Sequence, residues 1–369
     1  MNTLIFLCYI VCAHAIILKL PLMQQQSAMK RKSLGRMLVN SRSAELKNIR
    51  NQRYLCTVSI GNPPQNYSLM LDTGSTHTWI VGKECTGSTC DCADNYRKHK
   101  YDAHESNSFV NVSEKITVRY LSTQITGYAA QDDMSIQGIS FPKQKIIVAT
   151  ELPESLGAEE NDGLLGFAWQ YTNNMVPFIQ NVLSQLHFPV FTIWLNKQEN
   201  DDGIGGMMTL GDFDIENCSP NVTFHPLSSK HQWNVLIEEV QIGSYKSSVQ
   251  VEGISDTGAP RIGCPEEPFN ELVRQMNATV VDGIVIVSCE DIHHFPDIQF
   301  IIGGINYKIT SYQYTRRFHD FCLANILKMN TPRNLWLLGD PWIRSYCHIF
   351  DMGLERIGLS ETRNHHNQS

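Results

Sequence analysis

Beyond its first fifteen residues the chain of 369 residues lacks any apolar run long enough to cross a bilayer, so no membrane anchor is expected. Low-complexity tracts are absent. With 42% hydrophobic and 18% charged residues, the composition is that of a globular protein with room for two sizeable cores. The pair Gly205-Gly206 is followed by neither a helical pattern nor Lys-Ser/Thr, which excludes a phosphate-cradling loop there. With a net charge of −7, no nucleic-acid partner is expected. Helical periodicity is scarce too, limited to Val176–Leu186 and to Pro268–Met276 after Glu266-Glu267. Short β-rich runs broken by Gly, Pro, Asn and Asp fill the rest. They include Tyr54–Ile60, Tyr67–Leu71, Lys115–Tyr120, Val190–Leu195, Val235–Gln241, Ile284–Cys289 and Ile298–Ile302, and they indicate an all-β protein rather than a parallel α/β one.

Cysteine is plentiful, and its setting points to the secretory pathway. The run Leu4–Cys12 ends in Ala13-His14-Ala15, a small-x-small pattern that reads as a signal peptide over residues 1–15, although no basic side chain precedes it. Six Asn-x-Ser/Thr sequons, at Asn66, Asn111, Asn217, Asn221, Asn277 and Asn367, are usable only in that pathway. Nine of the 11 cysteines follow the leader. An odd number leaves at least one free or intermolecular thiol. A zinc site from Cys85, Cys90, Cys92 and His99 or His104 is conceivable, but an oxidising compartment favours disulfides, so no metal or cofactor is expected.

Residues 16–50 carry eight basic side chains against Glu45 alone, a charge of +7, while residues 51–369 come to −14. A basic strip on an acidic body suggests a prosegment held partly by charge, the alternative being a solvated basic tail. The body divides near residues 221–229 into halves, taken as 51–225 and 226–369.

Each half contains the same short text. Asp72-Thr73-Gly74-Ser75 is followed downstream by Leu164-Leu165-Gly166, and Asp256-Thr257-Gly258-Ala259 by Leu337-Leu338-Gly339. One unit written twice can bring one carboxylate from each half to a shared seam. With Tyr54–Gln65, Trp79, Asp162–Ala168 and Trp336–Pro341, these motifs resemble the pepsin family of two-lobed eukaryotic aspartic peptidases over about Ile16 to Ser360. The resemblance implies an all-β bilobal fold and a secreted or lysosomal endopeptidase, made as a zymogen and acting as a monomer on extended polypeptides. It also implies that the chain's own propeptide is its inhibitor, through one of Lys30, Lys32 and Lys47.

In such a protein Asp72 and Asp256 share one proton, activating water and polarising the scissile carbonyl. Thr73, Gly74, Ser75, Thr257 and Gly258 support the two loops. The resemblance places a flap at residues 118–127, with Tyr120, Leu121 and Ser122 over substrate and Trp79 as the partner of Tyr120. It pairs Cys85 with Cys90 and Cys289 with Cys322, leaving Cys56, Cys92, Cys218, Cys264 and Cys347 unassigned. Three departures stand out. Leu121 and Ser122 occupy a flap tip that is usually glycine-rich, Ser255 replaces an apolar residue, and Ala259-Pro260 replaces a hydroxyl residue and its follower. Ala259 deprives Asp256 of a hydrogen-bond donor, for which Ser255 is a candidate substitute. The competing class is a glycoprotein that keeps the cleft for binding peptides, disabled by these changes.

Overall fold

Alternation of buried and exposed residues along short strands builds the molecule. The computed structural model describes residues 42–93, 96–120, 123–170, 175–197, 204–330 and 334–363. Among these, thirteen strands form one sheet, accompanied by one five-stranded, two four-stranded and one two-stranded sheet, with only short helices between them. This bears out the all-β expectation. The two helical patterns become a one-turn helix at Phe178–Val182 and a helix at Glu266–Gln275, the latter burying Phe269 and Leu272.

The repeated text is repeated wiring. In the first half Gln65–Asp72 pairs in parallel with Gly163–Gly166, with Gly166 opposite Asp72, and Gly163–Gly166 pairs antiparallel with Trp79–Val81. In the second half Val251–Ser255 pairs in parallel with Trp336–Leu338, which in turn pairs antiparallel with Ile262–Cys264. Each Leu-Leu-Gly is therefore the middle strand that holds the end of an aspartate-bearing strand. A Cβ at Gly166 or Gly339 would come within 2.6 Å or 2.2 Å of a backbone oxygen in the loop beside it, so the glycine is needed for the fit.

Arg42–Ile49, which the charge count assigned to the basic segment, is a strand of the large sheet. It lies antiparallel between Arg53–Ile60 and Gly206–Leu210 and buries Ala44, Leu46 and Ile49. The core beneath the seam is aromatic. Trp233 packs edge-on against Phe191 and Phe350, and Phe191 edge-on against Phe167. The Trp233 indole also donates to the Phe167 carbonyl at 3.0 Å, which ties the two halves together.

Among the described residues three disulfides are formed. Cys85–Cys90 and Cys289–Cys322 match the pairing the resemblance implied, and Cys218–Cys347 closes a loop of 129 residues. Cys56 and Cys264 are free and buried. With Cys85 and Cys90 bonded to each other, the zinc alternative loses two of its ligands. Among the described residues no helix is long and apolar enough to cross a membrane.

Candidate active site

Both aspartates stand where a strand runs out into a tight loop, and the loops grip each other. Thr73 N–H donates to Thr257 Oγ1 and Thr257 N–H to Thr73 Oγ1, both at 3.0 Å. Each hydroxyl also donates across the seam, Thr73 to the Ser255 carbonyl at 2.9 Å and Thr257 to the Leu71 carbonyl at 2.8 Å. Both threonines are buried, so these four bonds form a dry, reciprocal clasp.

The glycines let the carboxylates approach. A Cβ on Gly74 would lie 2.5 Å from Asp256 Cγ, and one on Gly258 would lie 2.5 Å from Asp72 Cγ. Each carboxylate thus sits against the opposite loop's glycine. Gly74 N–H is shared between Asp72 Oδ1 at 2.8 Å and Asp256 Oδ1 at 3.1 Å. Gln232 secures the first loop from the other half, donating to the Gly74 carbonyl at 2.8 Å.

Beyond that shared donor the surroundings differ. Asp72 accepts the Ser75 hydroxyl at 2.5 Å, while Asp256 accepts Gly258 N–H at 2.8 Å and nothing from Ala259. Burial raises the pKa of both carboxyls. For Asp72 the Ser75 and backbone donors oppose the rise, whereas for Asp256 the negative charge of Asp72 adds to it. The surroundings of Asp72 thus stabilise its charge more than those of Asp256 do.

Ser255 does not substitute for the missing donor. Neighbouring residues of a strand face opposite ways, and its hydroxyl lies 3.1 Å from His348 Nδ1 in the core. His348 is fully buried, and burial pushes its pKa down to about 3, so it is neutral.

Above Asp72, Val110–Arg119 and Gln124–Ile136 form the expected hairpin, closed by Tyr120 N–H donating to the Thr123 carbonyl at 2.7 Å. Leu121 and Ser122 lie outside the described residues. Tyr120 and Trp79 pack in one cluster. The buried Tyr120 hydroxyl and Trp79 Nε1 face each other, and the indole N–H is the one donor near the hydroxyl among the described residues, opposing the rise in its pKa. Burial, then the charge of Asp72, raises the Tyr120 pKa.

A cavity of about 120 Å³ opens beside the dyad, lined by Met70, Trp79, Leu156 and Gly258 together with Arg53, Glu159 and Pro260. The ion pair Arg53–Glu159 in its wall escaped the sequence reading, because 106 residues separate the partners and no local pattern marks either. Asp340, in the second repeat motif, is fully buried, and neither carboxyl oxygen has a hydrogen-bond partner among the described residues. Burial pushes its pKa up to about 8 despite the nearby Arg344. Of the sequons, Asn66, Asn111, Asn221 and Asn277 are exposed and Asn217 is half-buried, its amide donating to Asp214 at 2.7 Å. Asn367 lies outside the described residues.

The comparisons with known proteins agree with this geometry. The family model "Eukaryotic aspartyl protease" matches residues 53–362. The chain is similar to aspartic protease 17 of Caenorhabditis elegans, at 32% identity over 89% of this chain and 87% of that one. It is also similar to cathepsin E of Oryctolagus cuniculus, at 28% identity over 87% and 83%. A vacuolar aspartic protease of Candida albicans is 28% identical over 87% and 78%.

Proposed function

The chain belongs to the eukaryotic aspartyl protease family and is an aspartic-type endopeptidase, and we propose that Asp72 and Asp256 carry its chemistry. The observation behind this reading is the shared Gly74 N–H, which puts both carboxylates on one donor. Two carboxylates so close cannot both ionise cheaply, and one retained proton serves both halves of the reaction, as is established for aspartic proteases. Ionised Asp72 takes a proton from the attacking water, while Asp256 gives its proton to the carbonyl oxygen of the scissile amide. Tyr120, held against Trp79 and close enough to Asp72 to feel its charge, favours the hairpin as the element that closes over a bound peptide. The reading of a disabled peptide-binding relative rests on the altered flap tip and on the second loop, and in that loop the Gly74 and Gly258 donors are in place despite Ala259. Asp72→Asn and Asp256→Asn test the assignment, with cleavage of a denatured protein at acid pH and its block by a statine-type inhibitor as the readout.

The zymogen reading takes a sharper form. Arg42–Ile49 is sandwiched in the large sheet, so a processed enzyme keeps it and the cut falls close to Asn40. The strip removed, residues 16–41, carries Lys19, Lys30, Arg31, Lys32 and Arg36 and no acid, a charge of +5. Acid neutralises body carboxylates and loosens their hold on it. N-terminal sequencing after acidification should give a start near residue 40, and an active enzyme beginning at Ile16 would contradict the proposal. Secretory entry, glycosylation of the exposed sequons and action on extended polypeptides in an acidic lumen or outside the cell complete the reading.

A further inference from the structure

Beside the cavity, four arginines from both halves of the chain lie close enough for three of them to act on the charge of the fourth. Arg53 lines the cavity beside the dyad and is paired with Glu159, and Arg50, in the turn just before it, pairs with Glu160 at 2.9 Å. Buried Arg344 donates to the Asn51 carbonyl of that turn at 3.1 Å and to the Gln313 carbonyl at 2.8 Å. The turn is thereby tied to the start of the strand Thr315–Phe318. On this strand Arg316 Nε donates to Asn325 Oδ1 at 3.3 Å, and the Asn325 carbonyl accepts Ile262 N–H at 2.9 Å. Arg316 is thus set beside Arg261, the residue that follows Pro260 of the cavity wall.

The four are not equivalent. Glu159 and Glu160 neutralise Arg53 and Arg50. Among the described residues Arg261 reaches the Gly283 carbonyl, at 3.5 Å, and Arg316 reaches Asn325 and the face of Phe318. Among the described residues neither has a carboxylate within ion-pair distance, although Asp282 and Asp320 sit at the tips of the neighbouring hairpins. Both side chains are half-buried. Burial lowers the pKa of Arg316, and the charges of Arg261, Arg50 and Arg53 lower it further, as expected of cations crowded together without enough counter-charge. Pro260 has no N–H to offer a peptide carbonyl, so polar recognition at this wall falls to side chains. The chain's own basic strip is the wrong sign for such a place.

We infer that this arginine cluster is a subsite for an acidic side chain: the enzyme prefers polypeptides carrying Glu or Asp a few residues to one side of the scissile bond, the carboxylate seated on Arg261 and Arg316. The inference rests on the peptidase reading of the dyad, and it adds a substrate class to it. Arginine's planar fork suits a carboxylate, and two half-buried forks hold it better than a solvated surface pair.

The test uses fluorogenic peptides that share one scissile pair and differ only by Glu or Gln at the second to fourth positions on each flank. At pH 5.5 the kcat/KM ratio of Glu to Gln should reach about fivefold on one flank, and it should approach unity near pH 3 as the glutamate protonates. Arg261→Gln and Arg316→Gln should each lower that ratio, and the double variant should bring it to about one. A wild-type ratio at or below one on both flanks, or a ratio unchanged in the double variant, would overturn the inference. Fluorescence anisotropy of the same peptides on an Asp72→Asn background reads the preference without turnover. Absent cleavage of any peptide would then count against the dyad, and an absent Glu preference in binding would count against the subsite. If the double variant fails to fold, the single variants carry the comparison.

Discussion

The two aspartate loops have the same backbone wiring and different chemical surroundings. At the first, Leu71 precedes the aspartate and is buried in the apolar core, while Ser75 donates to the carboxylate. At the second, Ser255 precedes the aspartate and faces a buried histidine, and the Ala259 side chain offers the carboxylate no donor. The clasp of Thr73 and Thr257 is symmetric, so the loops hold the carboxylates alike. The asymmetry lies in who donates to them. Symmetry sets the distance between the carboxylates, and the broken symmetry sets their donors apart.

The largest effect should come from removing either half of the pair. Asp72→Asn and Asp256→Asn should each cut kcat by at least about 10⁴-fold, because groups that act as a unit fail together. Folding and secretion should be preserved, which circular dichroism and yield can check. Near wild-type activity in either variant would break the comparison at its root.

A smaller effect is expected at His348, which has no counterpart beneath the first loop. Its pKa in the folded protein, about 3, lies below the ordinary value near 6.5. The unfolded chain therefore takes up a proton first, so the contribution is whole above about pH 6.5 and is lost as pH falls toward 3. At about 1.4 kcal/mol per pH unit, acidification from pH 6.5 to 4 costs roughly 3 kcal/mol through this residue. In an Asp72→Asn background, which prevents self-digestion, His348→Phe should lose about that much less stability between pH 7 and pH 4 in urea unfolding. Equal losses with and without His348 would show that the histidine is protonated or solvated in the folded state.

How much of this was legible in sequence follows from distance along the chain. Asp-Thr-Gly and Leu-Leu-Gly could be read because each is a local solution to a local problem, a strand end held by a neighbouring strand. The clasp follows from the same text appearing twice. Cys218–Cys347, Arg53–Glu159 and Ser255–His348 could not be read, since their partners lie 129, 106 and 93 residues apart and nothing local marks them. The strand Arg42–Ile49 was hidden differently. Counting charge over residues 16–50 averaged away the alternation of Ala44 and Leu46 with exposed polar residues. Ser255 was misjudged as a donor because the alternation of strand faces was not applied to the residue before Asp256.

The measurement closest to the central claim is the pH dependence of kcat/KM for wild type and Ala259→Ser on one peptide. A hydroxyl at 259, placed as Ser75 is toward Asp72, would donate to the ionised form of Asp256 and lower the pKa of its proton. A partly formed charge-assisted bond is worth about 1.4 kcal/mol, or about one pH unit. The upper limb of the profile, where the shared proton is lost, should move down by about that unit while the variant stays active at acid pH. An upper limb that stays in place or moves to higher pH would contradict the assignment of the proton to Asp256.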